Sequence, residues 1–262
     1  MSVVLIEKRK KTATITLNRP ESYNALNHQT WGELTDAWIN LKDDPEVWII
    51  ILTGAGDKAF CAGQDLKEMA RVKEEAEREG RPFVSSMPEA TPAKYIEMPK
   101  PVIAAINGFA VGGGLELALG SDIRIAADHA RLGLREVAQS LMPGAGGTQR
   151  LPRLIPFGLA LEMLITGDLI SAQEAYRIGL VNKVVPSAEL MSTAQALAHR
   201  INENGPLAVR AVKEAAYKGV QMPLNEGMRF ETLLLSKLRE SEDAWEGPRA
   251  FAEKRKPIYK GR

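Results

Sequence analysis

Cysteine is nearly absent: Cys61 is the only one among 262 residues, and histidine occurs three times, at His28, His129 and His199. A single thiol excludes an internal disulfide framework and fits a reducing compartment. No histidine motif accompanies Cys61, so a thiol nucleophile is not indicated. Net charge is missing as well, because 34 basic side chains face 33 acidic ones and leave +1. With so weak an overall field, general attraction to nucleic acid or to an anionic membrane is excluded, and partners must be found by local sites. No apolar run approaches the roughly 18 residues of a membrane-spanning helix. The opening MSVVLIEKRKK holds too short an apolar run for a signal peptide, so a cytoplasmic protein is expected.

What the chain does have is 45% hydrophobic residues, enough at this length to fill a sizeable core. Val3 to Leu17 reads as two short strands, VVLIEK and TATITL, ended by Asn18-Arg19-Pro20. Between His28 and Lys42, Trp31, Leu34, Trp38 and Leu41 recur at the spacing of an amphipathic helix, which Asp43-Asp44-Pro45 stops. Val47 to Leu52 and Pro101 to Ile106 are unbroken apolar runs, as in strands covered on both faces of a parallel sheet. Arg71 to Tyr95 is charge-dense and then proline-rich, which predicts a surface helix followed by a mobile loop. Strands alternating with helical stretches point to an α/β protein of repeated βα units. From Leu190 the spacing is almost all helical, with Gly-Pro pairs at 205 and 247 as punctuation. The expected division is a core over residues 1–190 and a C-terminal helical region over 191–262.

Three glycine-rich stretches carry the candidate chemistry. In Ala110 to Gly120, AVGGGLELALG, three glycines precede an apolar run that encloses Glu116. Those glycines serve either tight packing of the helix on a strand, or backbone N–H donors turned toward developing negative charge. A nucleotide loop is not indicated, since the stretch has neither G-x-G-x-x-G nor G-K-[ST]. A helix-start carboxylate is favourable for local reasons, but one enclosed by leucines needs a partner or a raised pKa. Ala59 to Leu66, AFCAGQDL, is a second place where small residues open the backbone, with Asp65 reading as a helix-start acid. Glu136, in LGLREV, reads by itself as an ordinary surface carboxylate. Pro143 to Gly147 is a turn leading into a helix and a candidate backbone nest for an anion.

The order and separation of AFCAGQDLKEM, INGFAVGGGLELAL and PGAGGTQRL resemble the crotonase (enoyl-CoA hydratase/isomerase) superfamily. NRPESYNALN near the start and SEDAWEGPRAFAEKRKPIYKGR at the end extend the resemblance over the chain. It implies a fold of repeated ββα units in two nearly perpendicular sheets, with a C-terminal helical region that takes part in forming a homotrimer or a hexamer. It implies an oxyanion hole made by the N–H groups of Ala62 and Gly113 around a thioester carbonyl, with Glu116 and Glu136 as the catalytic carboxylates. Glu116 would take base character and Glu136 acid character. An acyl-CoA substrate would lie along Ala62, Gly63, Gln64, Asp65 and Leu66, its adenine near Asn24, Ala25 and Leu26, with Phe251 and Lys254 reaching the CoA. No metal or redox cofactor is implied.

Two departures flank Glu136: Arg135 stands where most members have proline, and Gln139-Ser140 replace the usual Leu-Gly. A guanidinium beside the acid would lower its pKa. Enoyl-CoA hydration is the activity expected, with a double-bond isomerase or a carnitinyl-CoA dehydratase type as the alternative. An RNA-binding member is disfavoured because HQTWGELTDAWINLKDD has one lysine against four acids. An inactive member is the remaining possibility.

Overall fold

A computed structural model describes residues 2–84, 87–94 and 97–262 of the chain. The N-terminal pattern folds as a hairpin, with β1 (Val4–Arg9) antiparallel to β2 (Thr12–Leu17). In β2, Ala13, Ile15 and Leu17 are buried and alternate with threonines, the period of a strand covered on one face. Asn27 caps α1 (His28–Asp43) by accepting from the Thr30 N–H, and Trp31, Leu34, Trp38 and Leu41 turn into the core.

From there the chain repeats one unit, two strands followed by a helix. The first unit is β3 (Ile49–Gly54), β4 (Ala59–Cys61) and α2 (Leu66–Arg78); the second is β5 (Val102–Ile106), β6 (Phe109–Val111) and α3 (Gly113–Leu119). In the third, β7 (Ile123–Ala127) and β8 (Arg131–Gly133) lead through a 3-10 turn at Glu136–Gln139 to α4 (Gly147–Leu154). After it come α5 (Phe157–Thr166), β9 (Ile170–Ser171), α6 (Ala172–Arg177), β10 (Lys183–Val185) and α7 (Leu190–Asn202), then α8 (Pro206–Gly219), α9 (Leu224–Leu238) and α10 (Glu242–Ala252). The strands form a six-stranded sheet, β1-β2-β3-β5-β7-β10, and a four-stranded one, β4-β6-β8-β9. The first strand of each of the three units enters the large sheet and the second the small one, so the predicted ββα repeat is what places loops between the sheets.

The unbroken apolar runs have a direct cause. Ile50, Leu52, Ala104 and Ile106 pack into one core, while Ile49, Ile51, Ile103 and Ala105 pack into another with Leu190, Ala194 and Ala198 of α7. Since α7 covers the second face of the large sheet, it belongs to the core, and the division expected at 190 falls too early. Two other expectations are corrected. The surface helix starts at Leu66 rather than Arg71, because Asp65 caps it through the Glu68 N–H. Gly247-Pro248 lies inside α10 rather than ending a helix; that proline removes one N–H, and the helix continues to Ala252. Ser85, Ser86 and Tyr95 of the expected loop lie outside the described residues. None of the described helices is long and apolar enough to cross a membrane.

Docking of α3 on the small sheet depends on Gly114, where an added Cβ would overlap the carbonyl of Cys61. Gly114→Ala is expected to destabilise by about 3 kcal/mol or to prevent folding. Gly32→Ala, on the open face of α1 with no atom near the added methyl, is expected to stabilise by about 1 kcal/mol. Urea unfolding of both variants checks the pair.

Candidate active site

The end of β4 and the start of α3 lie in backbone contact. A Cβ built on Gly63 would stand 2.7 Å from the Val111 carbonyl oxygen and 3.0 Å from the Gly113 nitrogen. One built on Gly113 would stand 3.9 Å from the Gln64 nitrogen and 3.4 Å from Leu26 Cδ1. The Gln64 and Gly113 amides are therefore neighbours. The Gly113 N–H starts a helix, where no intrahelical acceptor exists, and it donates no hydrogen bond among the described residues.

Ala62 does not fit the role expected of it. Its N–H donates to the Tyr23 carbonyl at 3.0 Å, inside the protein, because Tyr23 sits in a left-handed turn that brings that oxygen over the strand end. The residue that stands beside Gly113 is Gln64. Asn24 is 1% exposed, and its side chain is consumed by Arg19 N, Ala55 O and Ala59 O. Ala25 and Leu26 are also buried, and Leu26 exchanges backbone hydrogen bonds with Gly63 and Asp65. These three residues brace the CAGQDL turn, and no side chain of theirs offers a face for adenine. Asp65 caps α2 and takes an ion pair from Arg19 at 2.9 Å, in keeping with a helix-start acid. Leu66 is exposed at the rim. Phe251, 88% exposed, and Lys254 lie at and just past the end of α10, and no hydrogen bond or ion pair among the described residues joins them to this turn.

Glu116 lies in the first turn of α3 and is 3% exposed. Its Oε1 accepts from the N–H groups of Ala145 at 2.7 Å and Gly147 at 2.8 Å. The Pro143–Gly147 turn is thus an anion nest, and the anion it holds is this carboxylate. Arg150 fixes the turn from behind, donating to the carbonyls of Ala145 and Ala93. Oε2 takes no hydrogen bond among the described residues. Burial pushes the Glu116 pKa up, and the two backbone donors oppose that rise.

Glu136 opens the 3-10 turn and faces the bend before α3, its Oε1 lying 3.3 Å from where a Gly112 side chain would begin. Gly112 has φ +56, so glycine serves there both for conformation and for space. Glu136 Oε2 is buried with no hydrogen-bond partner among the described residues. Burial, and then the charge of Glu116, push its pKa up to about 7. Arg135 does not lower it as its place in sequence suggested: the side chain is exposed and forms no ion pair with Glu136 among the described residues.

Cys61 is fully buried and its thiol is pushed up to about 12 by desolvation, which removes it as a nucleophile. No group of three or more metal-ligating side chains occurs among the described residues. Sequence reasoning placed Gln64 along the CoA but not beside Gly113, and it missed Tyr23 and Arg150. The arginine of PGAGGTQR was the available signal for the last; the other two depend on a backbone path that side-chain patterns do not encode.

The chain matches the Enoyl-CoA hydratase/isomerase family over residues 7–262. It is 44% identical over 262 residues to an (E)-benzylidenesuccinyl-CoA hydratase of Thauera aromatica, covering 98% of this chain and 99% of that one. It is 45% identical over 253 residues to a short-chain-enoyl-CoA hydratase of Clostridium acetobutylicum, covering 97% and 95%. Among solved structures, enoyl-CoA hydratase from Bacillus anthracis superposes with a TM-score of 0.92 at 45% identity, covering 99% of this chain and 100% of that one. The two sheets and trailing helices are therefore the crotonase fold, and the chain belongs to the enoyl-CoA hydratase/isomerase family.

Proposed function

We propose that the protein is an enoyl-CoA hydratase, adding water reversibly across the α,β double bond of a 2-enoyl-CoA thioester. The observation that carries this reading is the pair of glutamates brought to one helix start, Glu116 held by the N–H donors of two other residues and Glu136 by its own backbone alone. The thioester carbonyl lies between the N–H groups of Gly113 and Gln64, the latter replacing Ala62. Both donors are set before reaction, so they favour the enolate oxygen over the ground-state carbonyl. One water sits between Glu116 Oε2 and Glu136. Its oxygen bonds to the β-carbon as Glu116 takes a proton from it. The π electrons move onto the thioester oxygen, and Glu136 delivers a proton to the α-carbon as the enolate collapses. The reverse sequence eliminates water. No step in it needs a metal or a redox cofactor.

The CoA runs along Gly63 to Leu66, and Phe251 and Lys254 reach it from a neighbouring copy. Apolar surface on the C-terminal helices supports such an assembly: Val220, Leu224, Leu233 and Trp245 are each well over half exposed, and no residue of α9 is buried. The unit is a trimer or a pair of trimers.

Glu116→Gln and Glu136→Gln are each expected to lower kcat for crotonyl-CoA hydration by about 10²–10⁴, followed as loss of the conjugated-thioester absorbance. Full activity in both, or a shifted double bond without water uptake, refutes the reading. The pH profile should mark Glu136 as the acid, with kcat/KM for hydration declining as pH rises through about 7. Stability follows the same group. Its folded pKa is raised above the ordinary value of 4.5, so its contribution is complete below 4.5 and is lost as pH rises to about 7. The Tm advantage of Glu136→Gln over wild type should therefore grow across that window and then level off. Light scattering on the eluted protein should give three or six times the 28.7 kDa chain mass.

A further inference from the structure

A cavity of about 850 Å³ lies beyond the C-terminal end of α3, between that helix, the start of β7, α4 and α8. Its wall holds six cationic side chains and three acids. Two of the acids are spent, Asp122 on Lys213 and Glu214 on Lys218, each at 2.7 Å. Arg124, 5% exposed, donates to the carbonyls of Leu180, Ser121 and Ala118, and Arg150 to those of Ala93 and Ala145. Carbonyls satisfy these donors, and nearby acids offset the charges, Asp122 that of Arg124 and Glu116 that of Arg150. Arg210 on α8 has neither: it makes no hydrogen bond and no ion pair among the described residues, and its Nε is buried. Burial alone acts on its guanidinium, lowering its pKa, and its charge helps push buried Lys100 down to about 8, after burial itself.

A partly buried guanidinium with no acceptor costs stability unless an anion joins it. The same cavity is lined by Trp38, Met98, Leu119, Leu154 and Val220. Positive charge beside apolar walls selects an anion with an apolar body over a bare inorganic ion. We propose that this cavity is a second ligand site, which takes an aliphatic or aromatic carboxylate with its head on the Arg210 fork and its body against Met98 and Leu119. Arg210 is outside the catalytic machinery, so the site stands whether or not the hydratase reading does. The carboxylate has two possible sources, a free acid or the distal carboxylate of a bound acyl group, and Leu119 lies on the same short helix as Glu116.

Titration calorimetry of the full chain with hexanoate, adipate and inorganic phosphate, on wild type, Arg210→Lys and Arg210→Gln, tests the site. Expected are saturable binding of hexanoate or adipate by wild type, a loss of tenfold or more in Arg210→Gln, partial retention in Arg210→Lys, and weaker binding of phosphate. Crotonyl-CoA hydration should be unchanged in both variants, which shows that they fold. A kcat/KM loss in Arg210→Gln confined to an enoyl-CoA ending in a carboxylate assigns the acyl group as the source; its absence alongside hexanoate binding assigns a free acid. Equal affinity of wild type and Arg210→Gln, phosphate binding as well as hexanoate, or a crystal structure with a neighbouring copy's carboxylate on Arg210 would overturn the proposal.

Discussion

Gly114 lies so close over the Cys61 carbonyl that no side chain fits between α3 and β4, and the groups that α3 brings to the site take their positions from that contact. The contact brings the Gly113 amide beside that of Gln64. It also fixes the rotation of α3, which is short, so that Glu116 turns into the protein and meets Ala145 and Gly147. A larger residue at Gly114 would move the helix outward, and a displacement near 1 Å is enough to misalign donors with a developing charge. The packing role and the chemical role considered for the glycines are therefore one role: close packing is what aims the amides.

The two glutamates share a neighbourhood and differ in what holds them. Burial raises both, but two N–H donors favour the charged form of Glu116, whereas Glu136 has only its own backbone as an opposing donor and the charge of Glu116 as an adverse neighbour. Both lean toward the acid form relative to an ordinary glutamate, Glu136 without the pair of N–H donors that holds Glu116 back. That asymmetry supports the base and acid roles proposed for Glu116 and Glu136, since titratable neighbours with unequal pKa values take opposite proton roles. Arg150 belongs to this asymmetry as a positioning residue, because it braces the turn that supplies the two donors.

Much of the fold was legible because burial on two faces leaves an unbroken apolar run, as at Ile49 to Leu52, and burial on one face leaves alternation, as at Ala13, Ile15 and Leu17. Glu116 was legible as an acid among leucines. Glu136 was not, since its surroundings come from Gly112 and Glu116, which are distant in sequence. The Ala62 assignment failed on a backbone detail: which of two successive N–H groups points outward depends on the left-handed turn at Tyr23. The extent of the core was misjudged at α7 because helical periodicity looks alike whether the apolar face meets a sheet or another chain.

That last ambiguity separates α7 from the helices after it. Leu190, Ala194 and Ala198 of α7 are buried against β3, β5 and β7, so the large sheet is covered on both faces by this chain alone. The remaining helices are not needed to close that core, and α9 buries none of its residues. Their apolar surface has a cost in water that only association recovers. If a neighbouring copy supplies that association, α8 is held between two bodies, its Arg210 and Lys213 facing the cavity on one side while Val212 faces outward. The wall of the cavity on α8 and the end of α10 then belong to the same assembled layer, set down upon a core that already holds both glutamates.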